Sequence, residues 1–330
     1  MKATAPVLTD AVELLRRAGI RIASGSLHEL DLTLPDGRAV STTVHVRRRP
    51  PTPHTLTALF NTPTPARRPL IVTPHATAHL RSLASAGEVD VIAPDEDLLV
   101  FGGIRYPATP EAAPRPASSV TPVRGRKPWT RWAIERLLLL TDQPMPQREL
   151  AAALDVTQQA VSLALRQCRH IRRTPAGWVA DSREALLEDY LADYPGPGGA
   201  TTYWYGVDPV LAQAATAVEF CTDRDVTVLL SGDAAADVYA PWRLPAQAVL
   251  YVPEFVDVAT AGFGPATAEE HTLAVTVPAD PTLWRTAAAA GEPALLADPL
   301  IAVHDVLHSS GADAHEAAEH LLAAIKKGAL

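Results

Sequence analysis

The stretch Gln147 to Arg166, QRELAAALDVTQQAVSLALR, decides how this chain is read. Its apolar residues fall where two short helices meeting at a turn must bury them. Leu150, Ala151 and Leu154 lie on one face of the first helix, Val156 in the turn, and Val161, Ala164 and Leu165 on one face of the second. Ala151 is small where the two helices cross. Asp155 occupies the turn position, which needs a left-handed backbone; glycine is usual there, and Asp tolerates it better than most residues. Thr157 is a natural N-cap for the second helix. The pattern is that of a helix-turn-helix, whose second helix enters the DNA major groove. Thr157, Gln158, Gln159, Ser162 and Arg166 remain on the outer face of that helix. Gln pairs bidentately with adenine, Arg with guanine, and Ser or Thr with either. The competing reading is an ordinary helical hairpin with a polar outer face.

The flanks favour the first reading. Upstream, Trp129 to Asp142 (WTRWAIERLLLLTD) is an amphipathic helix with a leucine run, suited to support the hairpin. Downstream, His170 to Ala180 (HIRRTPAGWVA) reads as two short strands around a Pro175-Ala176-Gly177 turn, a wing. Arg169, Arg172 and Arg173 lie at its base, where a wing meets the phosphate backbone. The leader supplies Arg124, Arg126 and Lys127, an arm for backbone or minor-groove contact or else a solvated linker.

Charge is distributed unevenly along the 330 residues, whose formal net charge is -8. Residues 1–120 carry 13 basic and 11 acidic side chains, a net of +2; residues 121–182 carry 10 and 5, a net of +5; residues 183–330 carry 6 and 21, a net of -15. The one strongly basic segment is the helix-turn-helix segment, and the local field governs phosphate contact. The acidic C-terminal third is expected to avoid DNA. No apolar run approaches the roughly 18 residues of a membrane-spanning helix. The N-terminus reads as a charged amphipathic helix, not a signal peptide. Cys168 and Cys221 are the only cysteines, which excludes a disulfide framework and a cysteine zinc cluster. A cytoplasmic protein without cofactor or metal is expected.

The expected architecture is α/β and multidomain, with a front α/β domain at 1–107, a Pro-rich linker at 108–127, a central winged helix-turn-helix at 128–182 and an acidic C-terminal α/β domain at 183–330. In the front domain a helix from Thr9 to Ala18 precedes a hairpin, Arg21 to Leu34 and Ala39 to Arg48, about Pro35-Asp36-Gly37. A short helix (Leu56 to Asn61), a buried strand (Leu70 to Thr73), a helix (Ala76 to Ala86), a strand (Val89 to Ala93) and a strand or hairpin (Leu98 to Tyr106) follow. This order resembles restriction-endonuclease-like folds. Their chemistry needs an Asp on one strand and Glu-x-Lys on the next, to hold a divalent metal and activate water. Asp31 is the candidate for the first carboxylate, and the next strand, VSTTVHVRR, has neither Glu nor Lys. The domain is therefore read as degenerate. Arg47, Arg48 and Arg49 serve there either for DNA-backbone contact or as edge-strand protection.

Other candidates weigh less. Ser231-Gly232-Asp233, between a strand and a helix, reads as a structural turn, with phosphate contact as the alternative; the carboxylate pair of a nucleotidyltransferase is missing. His304/His308 and His75/His79 are spaced four apart but lack a third zinc ligand. Tyr203-Trp204-Tyr205 suits packing or a subunit interface better than base stacking.

With these segments in order, the chain resembles the AbiEi-like regulators of actinobacteria, which are similar to the antitoxins of type IV toxin–antitoxin systems. The likeness covers about residues 125–330 and rests on the winged hairpin, on TYWYGVDP (Thr202 to Pro209), LSGDAAADVYAPWR (Leu230 to Arg243) and ADPLIAVHDVLHS (Ala297 to Ser309). RPLIVTPHATAHLRSLASAGEVDVIAPD (Arg68 to Asp95) resembles a front domain found in some of them. The resemblance implies a non-enzymatic, sequence-specific repressor of double-stranded DNA, acting on its own promoter, with no stable toxin complex. Two half-sites imply a homodimer. A nuclease using the front domain and a protein-interaction adaptor are the alternatives.

Overall fold

The computed structural model describes residues 5–60, 67–109, 127–291 and 295–327. Arg124, Arg126 and most of the Pro-rich linker lie outside the described residues. The protein is mixed α/β, with twelve α-helices and three sheets among the described residues.

The chain opens with α1 (Ala5–Arg17), whose Leu8, Ala11, Val12, Leu14 and Leu15 form one buried face. Strands β1 (Arg21–Gly25), β2 (Glu29–Thr33) and β3 (Ala39–Val46) follow as an antiparallel meander. The segment Arg21 to Leu34, expected as one strand, is thus two. Gly25 allows the reversal: its φ is +133°, and a Cβ there would run into the Glu29 carbonyl oxygen. Next come α2 (Pro53–Phe60), β4 (Arg68–Val72), α3 (Ala78–Ser85), β5 (Asp90–Ala93), β6 (Leu98–Phe101) and β7 (Ile104–Arg105). Strands β5 and β6 are buried along their whole length and β4 over its last three residues, as their unbroken apolar runs require. Pairing is parallel from β3 through β4 to β5 and antiparallel elsewhere in this part of the sheet.

The middle of the chain forms α4 (Trp129–Leu139), α5 (Gln147–Leu154), α6 (Gln158–Leu165) and a hairpin of β8 (Ile171–Arg173) and β9 (Trp178–Ala180). The rest comprises α7 (Arg183–Asp193), β10 (Ala200–Tyr205), α8 (Val210–Thr222), β11 (Leu229–Ser231), α9 (Gly232–Tyr239), β12 (Ala248–Tyr251), β13 (Phe255–Val256), β14 (Gly264–Pro265), β15 (Leu273–Val277), α10 (Leu283–Ala290), α11 (Pro299–Leu307) and α12 (Ala314–Lys326). The larger sheet runs β13-β1-β2-β3-β4-β5-β6-β7 and the second β11-β12-β15-β10-β14.

Burial crosses the boundaries expected between domains. The short strand β13 pairs antiparallel with β1, so a C-terminal segment edges the front sheet. One core joins α1 and the front sheet (Leu14, Leu30, Leu70, Phe101) to α8 and the second sheet (Ala217, Leu250, Val275). Another joins α4, α5 and α6 (Leu138, Leu150, Val161) to α7, α10, α11 and α12 (Tyr190, Leu283, Leu300, Leu321).

The second core carries an ionic knot. Arg136 of α4 is fully buried. Its Nε lies 3.1 Å from an Asp298 carboxylate oxygen, its Nη1 3.4 Å from Asp280, and its Nη2 donates to Thr282 Oγ1 at 2.9 Å. Tyr194 donates to Asp280 at 3.0 Å and offers its ring to the guanidinium 5.2 Å away. Asp298 also caps α11, accepting from the Leu300 and Ile301 N–H groups. The support of the α5–α6 hairpin is therefore fastened to the C-terminal helices by charge as well as by apolar packing.

Candidate nucleic-acid interface

The hairpin is assembled as its residues dictate. Leu150, Ala151 and Leu154 of α5 and Val161, Ala164 and Leu165 of α6 are buried against α4. Asp155 sits at φ 54°, ψ 46°, in the left-handed region, and reverses the chain. Thr157 caps α6, its Oγ1 accepting from the Ala160 N–H at 3.1 Å. The Gln147 side chain donates to the Gln158 carbonyl at 2.7 Å and ties the first turn of α6 to the start of α5. Arg285 of α10 pairs with Asp155 at 2.6 Å, so the turn is braced from the C-terminal side.

The β8–β9 hairpin stands beside this unit. Met145 and Trp178 exchange backbone hydrogen bonds of 2.9 and 2.8 Å, which adds a third short pairing before α5. Gly177 permits the approach. At φ +152° it carries no side chain where a Cβ would lie 2.5 Å from the Met145 carbonyl carbon. Thr174 closes the turn, its Oγ1 both donating to the Gly177 carbonyl and accepting the Gly177 N–H.

The structure sorts the candidate residues by what already holds them. Gln158, Gln159 and Arg166 are exposed on α6, and Ser162 is half-buried beside them. None of these four side chains makes a hydrogen bond or ion pair with a described residue; only the Gln158 backbone carbonyl is engaged, by Gln147. The Thr157 hydroxyl is spent on its cap. Arg169 lies 3.7 Å from Asp189, and Arg172 3.2 Å from Asp181, both at exposed positions where such pairs are weak. Arg173 is exposed and has no such partner among the described residues. The Lys127 ammonium sits over the Trp129 ring, 4.7 Å from its centre, and burial draws its pKa down against the pull of Asp280. Of the proposed arm, the one described residue is thus folded back onto the protein.

Two residues went unremarked in the sequence. Arg148, in the first turn of α5, is exposed and unpaired among the described residues. Leu163, on α6, is 53% exposed. A stripe count finds neither, because it records what a helix buries.

Behind the interface, Glu135 of α4 is buried with its carboxylate 3.6 Å from Arg131. One of its oxygens has no hydrogen-bond partner among the described residues. Burial lifts its pKa to about 7, Arg131 opposing and Asp193 adding to the rise. Burial also pushes up the neighbouring Cys168 thiol, which donates to the Ala164 carbonyl.

In the front sheet, Asp31 on β2 accepts from Arg67 at 3.0 Å and from Ser24 at 3.1 Å. A hydrogen bond from Ser41, aided by Arg67 and Ser24, holds its carboxyl below the usual range. Ser231 donates to Asp305 at 2.6 Å, as does Tyr251 at 2.8 Å, while buried Asp233 pairs with Arg243 at 2.7 Å. The turn at 231–233 therefore binds its own protein. His304 and His308 stack on one another, 4.3 Å between ring centres. Tyr203 packs on His271 from β10, an interior strand of the second sheet. Among the described residues no group of three His, Cys, Asp or Glu side chains is placed to hold a metal ion, and no helix is long and apolar enough to cross a membrane. Comparison of the chain with protein-family models, with curated proteins and with solved structures finds no match in any of the three.

Proposed function

We propose that this chain is a sequence-specific regulator of transcription that reads double-stranded DNA through α6, with β8 and β9 as its wing and two copies on two half-sites. The observation that carries the reading is the outer strip of α6. Gln158, Gln159, Ser162 and Arg166 are chemically matched to base edges and uncommitted within the protein, on a helix fixed at its start by Thr157 and Gln147. Arg148 on α5 and Arg173 on β8 are exposed and make no ion pair with a described residue, which leaves their charge for phosphates. The basic segment 121–182 supplies the field that draws the duplex in.

Within that reading the chain is a winged-helix autorepressor of the AbiEi antitoxin type. The motifs supporting this second step lie in β10, α9 and α11; Asp298 of the ionic knot caps α11, and Ser231 at the head of α9 bonds Asp305 of α11. The front unit is a degenerate restriction-endonuclease-like fold kept for binding or assembly. In support, Asp31 is bound by Arg67, and β3 offers neither Glu nor Lys beside it.

Footprinting on the DNA upstream of the chain's own coding sequence, with magnesium present, tests all of this together. The expected result is a protected, uncut site in two related halves. Cleavage lost in Asp31→Ala moves the reading to a nuclease. Absence of any protection on any duplex leaves a protein-interaction adaptor.

A further inference from the structure

The outer face of α6 holds one residue that neither its core nor its polar chemistry accounts for. Leu163 is 53% exposed, while its neighbours Val161, Ala164 and Leu165 are all buried. Helical spacing puts it in a single strip with Gln159, Ser162 and Arg166, at steps of three and four residues. Gln159 to Arg166 spans about 10 Å along the axis, roughly three base-pair steps. Leu163 lies between them, on the side directed away from α4 and α5.

We propose that Leu163 is a base-reading residue that contacts the 5-methyl group of a thymine in the major groove, between the bases addressed by Gln159 and Arg166. The inference rests on the proposed function above and gives that site part of its sequence preference. The thymine methyl is the apolar group that projects furthest into the major groove, and it is the base-edge partner an aliphatic side chain fits. The two flanking side chains are long and polar and bracket an apolar centre, so the strip matches a mixed site with at least one A·T pair oriented to present its methyl group to Leu163.

The test begins by enriching sites from a random duplex pool with the full-length protein. Each thymine in the enriched site is then replaced, one at a time, by deoxyuridine, which removes the methyl group and leaves every hydrogen bond in place. The expected result is one thymine position at which uracil weakens binding by about fourfold, the worth of one buried methyl group. In Leu163→Ala that sensitivity disappears, while Leu163→Met keeps part of it. Leu163 is exposed, so both variants are expected to fold, and equal melting temperatures verify it. If uracil is tolerated at every position, or costs the same in Leu163→Ala, the thymine contact is overturned and the DNA-binding reading stands. If no sequence is enriched, that reading falls and takes this inference with it.

Discussion

Single side chains divide into those the protein uses on itself and those it leaves outward. Arg136 and Arg166, both in the central unit, illustrate the division. The first is fully buried among two carboxylates, and the second ends α6 with no partner among the described residues. Replacing Gln158, Gln159 or Arg166 by Ala should cost about 1–3 kcal/mol of binding at a true base contact and relax preference at one position. Stability should hardly change. A gel-shift series in which all three variants keep wild-type affinity and preference removes α6 from the groove. Glu135 makes the opposite kind of prediction. Its folded pKa of about 7 stands above the usual glutamate value, so the folded protein binds the extra proton more readily. Stability from this group is full below the unfolded pKa of 4.5 and declines as pH rises towards 7. Its size is at most about 3 kcal/mol. Urea denaturation at pH 5 and pH 8 should show the decline, and Glu135→Gln should flatten it. An equal slope in both proteins would leave Glu135 without a part in it.

At the scale of elements, α4 connects the α5–α6 hairpin to the rest. Asp280, Thr282 and Asp298 meet Arg136 from beyond α7, more than 140 residues along the chain. Breaking a buried ionic cluster at one member leaves uncompensated charge, so Arg136→Ala should cost about 3–5 kcal/mol in denaturant midpoint analysis. Lysine should restore little of it, because one ammonium cannot reach both carboxylates and the threonine together. A loss below about 1 kcal/mol would mean water or a side-chain shift satisfies Asp280 and Asp298, and the knot would hold nothing together. The same residue marks where sequence reading stops. WTRWAIERLLLL reads as an amphipathic helix, with Arg136 on its wet face, but α4 is buried on every side from Trp132 to Leu139, Glu135 and Arg136 included. The partners of Arg136 are too distant in sequence for any window to find. The hairpin was legible because its signals are local: the Leu150–Leu154 stripe, Asp155 in the turn, the Thr157 cap. Strands β13 and β14 carry two residues each and have no period to detect. Helix α10, LWRTAAAA, buries Leu283, Thr286 and Ala287 at helical spacing, but half of it is alanine and one of those three is polar, so its stripe is faint in the sequence, although it packs on both α4 and α5. Leu163 and Arg148 were missed because outward residues are defined by what surrounds them in space.

Across the whole molecule, the expected boundaries at 107 and 183 mark changes in composition, but both large cores are built across them. The first draws α1 and the front sheet together with α8 and the second sheet, and β13 extends the front sheet itself. The second packs α4, α5 and α6 onto α7, α10, α11 and α12. Each part thus supplies apolar surface that another part must cover, and the C-terminal segment enters both cores. Thermal or urea unfolding should therefore follow one cooperative transition, with far-ultraviolet dichroism and tryptophan fluorescence tracing the same curve. Trp132 and Trp284 report on the second core, Trp204 on the first. A chain ending at residue 199 should fail to fold as a reading unit. It would expose Leu138, Leu150 and Tyr190 and leave Arg136 facing neither Asp280 nor Asp298. Its hydrogen exchange should be unprotected throughout α4, α5 and α6. Two separated transitions in the full chain, or a protected and DNA-competent fragment ending at residue 199, would show that the reading unit holds its own fold and that the shared core only docks it.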